Sequence, residues 1–244
     1  DAGWHGGCLS LAELCRRGLL LPARLQDVVP VVARAIHFDV LRGQHSVGIH
    51  VRDAACYVCW AFARAYSPTV MRPFVSDLSK AMLLTALFDR EVNCRRAASA
   101  AFQENVGRQG NENFPLGIEL ISLADFFSLS SRSVSYLKIS PAVAVLDDKL
   151  HASLESHLRE VKLSHWDEEV RVLSSKALGK LTASNPTRMA LGLAGLVDDV
   201  FCHQATRRHG VVLGIAEILL SLRINAASTK YDGDVEISTD LVEQ

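Results

Sequence analysis

An arginine followed by small apolar residues at helical spacing marks residues 51–66, VRDAACYVCWAFARAY, which close on aromatics. The same layout returns at 94–102 (CRRAASAAF), 170–181 (VRVLSSKALGKL) and 206–219 (TRRHGVVLGIAEIL). The arginines stand at 52, 95, 171 and 207, in steps of 43, 76 and 36. Since 76 is close to two units of 38, a further copy is expected near residue 132, where Arg132 heads RSVSYL. A period of about 40 residues with two helices per unit is the signature of a HEAT-type solenoid. Within the helices the apolar positions recur at three and four residues, as in Val28, Val31, Val32, Ala35 and Ile36, or Leu173, Ala177, Leu178 and Leu181. Such a stripe must be buried against a partner helix and the neighbouring pair.

The pattern predicts an all-α, HEAT/armadillo-like helical solenoid of about five helix pairs plus an N-terminal single helix, with no strand. Helices are expected at 4–17, 22–38, 48–66, 69–88, 90–107, 114–128 and 131–146. Two pairs follow, 148–163 with 167–183 and 186–201 with 204–223. Pro22 suits a first helical turn, where its missing N–H costs nothing. Residues 39–48 read as a linker. Ser67-Pro68 breaks a helix, because proline disfavours helix at the residue before it. Asp89 reads as a helix cap, Gly107 and Gly110 as a helix end, and Pro141 as a kink. The array spans 1–223. Residues 224–244 differ in kind: from Asn225 on there are five acids and one lysine. That segment reads as an acidic linker, the edge of a further repeat, or a partner-binding tail.

Composition changes this picture little. The chain has 244 residues, 49% hydrophobic, and a net charge of −1. The charge balance argues against a dedicated nucleic-acid or membrane-surface binder. No uninterrupted apolar run approaches the ~20 residues of a membrane span. The first residue is Asp, so a fragment or processed chain is expected.

Candidate chemistry is sparse. Cys56-x-x-Cys59 has no second CxxC, and the two thiols share a helix face. Core packing and a metal or redox site are the two readings, and four ligands for zinc are not in view. No phosphate-cradling loop, GxSxG or HExxH is present. No catalytic residue, cofactor or metal is therefore expected. The arginines 52, 95, 132, 171 and 207 read as a structural ladder, each pairing with an acid in the preceding turn, as Asp89 with Arg95 or Asp167 with Arg171. The alternative has basic residues of the second helices, Arg96 and Arg208 above all, meeting an acidic partner. Gln103, Glu104, Asn105 and Arg108 form a polar helix end, either capping and solvation or a binding lip. His165 and Trp166 form a loop pair.

The stretches VRDAACYVCWAFARAY, DREVNCRRAASAAFQENVGRQG, LSHWDEEVR, TRRHGVVLGIAEI and WHGGCLSLAEL resemble the tubulin-folding cofactor D family. The resemblance covers roughly residues 1–223 and is strongest over 1–110. It implies a non-catalytic, cytoplasmic and cytoskeleton-associated scaffold that captures β-tubulin. It further implies work with cofactors C and E and an Arf-like small GTPase to assemble or disassemble the tubulin heterodimer. GTP hydrolysis would occur on tubulin, stimulated by the assembly. No contact residue is carried over from the family. A general HEAT adaptor that binds other proteins or peptides is the alternative.

Overall fold

The computed structural model describes the backbone of residues 2–239 and the side chains of residues 2–227. The described residues are all-α apart from one hairpin, and the chain divides into two compact units after Val143.

In the first unit, α1 (Ala2–Arg16) leads through a 3₁₀ turn at Pro22–Arg24 into α2 (Leu25–Ala35). After the hairpin come α3 (Ile49–Ala65), the short α4 (Pro68–Met71) and α5 (Val75–Phe88). Then follow α6 (Val92–Asn113), α7 (Gly117–Leu123), α8 (Arg132–Val134) and α9 (Ser140–Ala144). Helices α1, α3 and α6 lie side by side as one layer, with α2 and α5 packed behind α3 and α6. The layer is close because the facing residues are small: Ala12, Ala54, Ala55, Cys59, Ala98 and Ala101 are buried. Larger plugs fill the back layer. Phe88 meets Tyr136 edge-on at 5.0 Å, and the Tyr136 hydroxyl donates to the Phe88 carbonyl at 2.7 Å.

In the second unit, α10 (Asp148–His157) and α11 (Glu168–Ser184) are followed by α12 (Pro186–Val197) and α13 (Ala205–Thr239). Helix α13 packs along α11, with Val211 and Ile218 buried. The acidic segment expected at 224–244 falls mostly beyond residue 227, outside the described side chains.

Several expectations change. The linker at 39–48 contains an antiparallel hairpin, β1 (Val40–Arg42) with β2 (His45–Val47), Val40 opposite Val47. Its exit is fixed by Gly48 at φ 124°, where a Cβ would lie 2.1 Å from the Phe38 carbonyl oxygen. The apolar stripe of α2 is rotated from the expected one: Leu25, Val29, Val32 and Ala35 are buried, whereas Val31 is exposed. Pro73 converts the start of the expected helix 69–88 into a 3₁₀ turn at Arg72–Phe74. Glu91, not Asp89, is the N-cap of α6, although the Asp89 carboxylate accepts the Glu91 N–H at 2.8 Å. Gly107 lies inside α6, and the helical run breaks at Gly110, φ 73°. Ahead of Pro141, residues Ser135–Ile139 form a π turn. A proline has no N–H to give and crowds the carbonyl four residues back, and a wider turn accommodates both. The stretch Ala205–Ala227 is long and apolar enough, by length and composition alone, to cross a membrane, although no span was expected. Its apolar content is interrupted by Arg207, Arg208, Glu217 and Arg223, so no continuous run announces it.

Candidate protein-interaction surface

The arginines set the register of the second helices. Arg52, Arg95 and Arg171 are all buried. Arg95 Nη1 donates to the carbonyls of Asp89 and Arg90, six and five residues back, at 3.0 and 3.1 Å. Arg171 Nη1 does the same with His165 and Trp166, at 2.7 and 3.0 Å. Arg52 Nη1 reaches the Phe38 carbonyl fourteen residues back, at 2.8 Å, because the eight hairpin residues intervene. Each guanidinium then bridges onward with its other edge. Arg52 pairs with Asp89, Nε to Oδ2 at 2.7 Å, an ion pair without an aligned hydrogen bond at that nitrogen. Arg95 donates to the carbonyls of Leu129 and Ser130, both at 2.9 Å. Arg171 Nε donates to His209 Nδ1 at 3.1 Å.

The expected acid partners of Arg95 and Arg171 are thus replaced by main-chain carbonyls. Burial lowers the Arg95 pKa from its ordinary value, against the pull of nearby Asp89. Burial also works against the Arg52 charge, but Asp89 foremost, with Asp39 and others, holds that pKa above the ordinary value. Arg132 heads α8 and adds its like charge near Arg95. In α13 the carbonyl six residues back, Cys202, is taken by Arg208 at 3.0 Å, so Arg208 occupies the equivalent slot. Arg207 instead binds Asp199, the Arg159 carbonyl and Ser164.

A second device locks α6 onto α3. Asn105, Gln109 and Asn113 stand four residues apart along α6. Asn105 Nδ2 donates to the Cys59 and Ala101 carbonyls at 3.1 and 2.8 Å. Gln109 Nε2 donates to Ala63 and Tyr66 at 3.3 and 3.4 Å, and Asn113 Nδ2 to Pro68 at 3.0 Å. Of these acceptors, Ala63 lies in the last turn of α3, where intrahelical partners run out, and Tyr66 and Pro68 lie just past it; Cys59 and Ala101 take the amide as a second donor. Asn105, 2% exposed with its amide committed inward, is therefore not part of any binding lip.

What faces outward is a continuous strip across α1, α3 and α6. Arg16 Nη1 donates to Glu13 at 2.8 Å and to the Tyr57 hydroxyl at 3.0 Å. Tyr57 stacks with Trp60, centroids 5.7 Å apart. The Arg64 guanidinium lies 4.7 Å from the Trp60 ring centroid. Glu104 Oε1 is 3.0 Å from both Arg64 Nη1 and Arg108 Nε. Gln103 is half-buried beside Glu104 on the same helix. Arg96 stands about three turns before Arg108, its guanidinium 4.7 Å from the Phe126 ring centroid and Nε 3.4 Å from the Phe126 carbonyl. A groove of about 410 Å³ flanks the strip, lined by His50, Asp53, Asn93, Arg96, Ala97 and Phe126. Burial raises the Asp53 carboxyl from its ordinary value, while His50 and His5 pull it back.

Tyr57, Trp60 and Arg64 were not singled out from the sequence as surface residues. Their spacing of three and four along α3 could have shown it. In the second unit, His165 and Trp166 are half-buried, their rings 5.0 Å apart, and their carbonyls hold Arg171. Cys56 and Cys59 are buried free thiols. Burial pushes the Cys59 thiol up to about 12 and Cys56 well above its ordinary value. Among the described residues, no group of three or more His, Cys, Asp and Glu side chains could hold a metal ion.

A family profile described as tubulin-specific chaperone D-like, ARM repeats, matches residues 1–118. The chain is 42% identical over 222 residues to tubulin-specific chaperone D of Dictyostelium discoideum, covering 91% of the chain and 15% of that protein. It is 30% identical over 216 residues to tubulin-folding cofactor D of Schizosaccharomyces pombe, covering 88% of the chain and 19% of that protein. The chain thus spans less than a fifth of the length of these relatives. No solved structure matches it. By its sequence nine-tenths of the chain is similar to a segment of tubulin-specific chaperone D, and residues 1–118 match the profile of its ARM repeats.

Proposed function

We propose that the chain is a scaffold segment that binds β-tubulin and co-chaperones during assembly or disassembly of the tubulin heterodimer. The observation that carries this is the 42% identity over 91% of the chain to a protein named for tubulin chaperoning. The exposed strip supports it, because Trp, Tyr and Arg are the residue types that dominate interface energetics. Arg96, Gln103, Glu104 and Arg108 are the α6 contribution to that interface, and His165 with Trp166 is a separate candidate contact. The co-chaperones are cofactors C and E and an Arf-like small GTPase, in the cytoplasm and at the cytoskeleton. The segment acts by holding partners and supplies no catalytic group. GTP hydrolysis on tubulin is stimulated only by the whole assembly.

The test is retention of purified tubulin on the immobilised chain, set beside retention of a panel of linear peptides. Retention of tubulin is the expected result. A folded chain that retains peptides but no tubulin would favour the general HEAT adaptor.

A further inference from the structure

We infer that the α1–α3–α6 strip docks an acidic, extended polypeptide segment of its partner. The contacts run from helix to helix without interruption: Glu13 and Arg16 to Tyr57, Tyr57 to Trp60, Trp60 to Arg64, Arg64 through Glu104 to Arg108. A path that crosses three stacked helices suits an extended chain laid across them better than a single inserted side chain.

Charge selects the occupant. At one end Arg16 and Arg17 share one acid, Glu13. At the other Arg64 and Arg108 share one acid, Glu104. Arg96 meets a ring and a carbonyl oxygen, and Asp53 is the acid on that flank. Five arginines thus face three acids, with the surplus placed at the two ends of an aromatic platform. A surplus of guanidinium groups held by single carboxylates retains donors for a second carboxylate, and arginine binds carboxylates in a bidentate fork. Tyr57 and Trp60 stack on each other with Arg64 over the indole, and the half-exposed edges of this stack give the segment's apolar side chains a seat between the charged ends.

The inference rests on the interface reading only in taking a protein as the occupant, and the two fail separately. An oligoglutamate peptide carrying a fluorophore is titrated with the 244-residue chain and followed by anisotropy. Oligolysine, a Gly-Ser peptide and oligouridine serve as comparison probes. Oligoglutamate should bind best, and several-fold more weakly as salt is raised. Trp60→Ala, or Arg64→Gln with Arg108→Gln, should weaken binding by about tenfold or more. Arg72→Gln, which loses only its exposed pair with Glu112, should change nothing. Circular dichroism checks the fold. Should the double variant unfold, Arg108→Gln decides alone, since that side chain is 51% exposed.

Equal binding of oligoglutamate and Gly-Ser peptide overturns the inference, as does unchanged affinity in the folded variants. Tighter binding of oligouridine assigns the strip to nucleic acid and overturns it too. If tubulin is retained but oligoglutamate is not, the inference falls and the tubulin reading stands. If oligoglutamate binds and tubulin is not retained, the inference stands without the tubulin reading.

Discussion

Arg52 and Asp89 are 37 residues apart in sequence, and their side chains meet at 2.7 Å in the interior. The pair ties the start of α3 to the turn that launches α6. The loop before Arg52 adds the Phe38 carbonyl and the Asp39 carboxylate, at 2.8 and 3.4 Å. Removing one partner of a buried pair leaves the other charge uncompensated, at a cost of about 3–5 kcal/mol. Asp89→Ala should therefore lower unfolding free energy by that amount in urea titrations. Arg52→Met with Asp89→Leu should cost less than the two single changes together, because neither member of the pair is left facing the other's vacancy, although Asp39 loses its contact with Arg52 wherever that arginine is replaced. A loss under about 1 kcal/mol for Asp89→Ala would remove the pair from the account of stability.

The amide stripe of α6 separates folding from binding. Asn105→Ala removes a buried amide and the hydrogen bonds it gives to the Cys59 and Ala101 carbonyls, which keep their intrahelical donors, at a cost of about 0.5–1.5 kcal/mol. Gln103→Ala, two residues earlier and half-buried, should stay within about 0.5 kcal/mol. Thermal melts of the two variants make the comparison. Equal shifts would mean that the stripe is not what holds α6 to α3.

The buried thiols make stability fall at alkaline pH. Burial pushes Cys59 and Cys94 up to about 12, and Cys56 well above its ordinary value. Below about pH 9 a thiol is protonated in both the folded and unfolded chain, so its contribution is fully present there. Above that the unfolded chain releases the proton and the folded chain keeps it. Stability should then drop by about 1.4 kcal/mol per pH unit for each such thiol, until the folded value is reached. Urea midpoints measured from pH 8 to 10.5 should show this, and Cys59→Ala should shallow the slope. A slope unchanged by Cys59→Ala would contradict it.

Helix periodicity and the recurrent arginine carried the architecture, because both are local patterns that repeat. What the arginines bind was not legible in side-chain terms. Most of their acceptors are carbonyl oxygens, which every residue supplies, so the sequence suggested acids instead. Arg207 and Arg208 differ by one position, which is about 100° around a helix. Spacing alone cannot choose between them, whereas the Cys202 carbonyl does. The strip was hidden for a different reason. Tyr57 and Trp60 look like core aromatics until Arg16 from α1 and Glu104 from α6 are seen to flank their stack and Arg64. Those partners are about 40 residues away, as a repeat of that length requires.

The hairpin is an insertion into an otherwise regular repeat, and it should be removable. Arg95 and Arg171 take carbonyls six residues back, and Arg52 takes one fourteen back. Deleting residues 40–47 would bring Phe38 into the same place. The cut is short, because Val40 and Val47 are paired across the ladder and so lie about 4.5–5.5 Å apart. Gly48 must stay, since a Cβ there meets the Phe38 carbonyl oxygen. The deletion forfeits the Arg90–Ser46 hydrogen bond at 2.5 Å and otherwise removes mainly exposed residues. Loops tolerate such changes when they carry few buried groups. The shortened chain should keep its helical circular dichroism and unfold within about 1 kcal/mol of the parent. A Gly48→Ala change made in the same background should be far worse than in an open turn. Loss of cooperative unfolding on deletion alone would show that the hairpin is part of the core repeat.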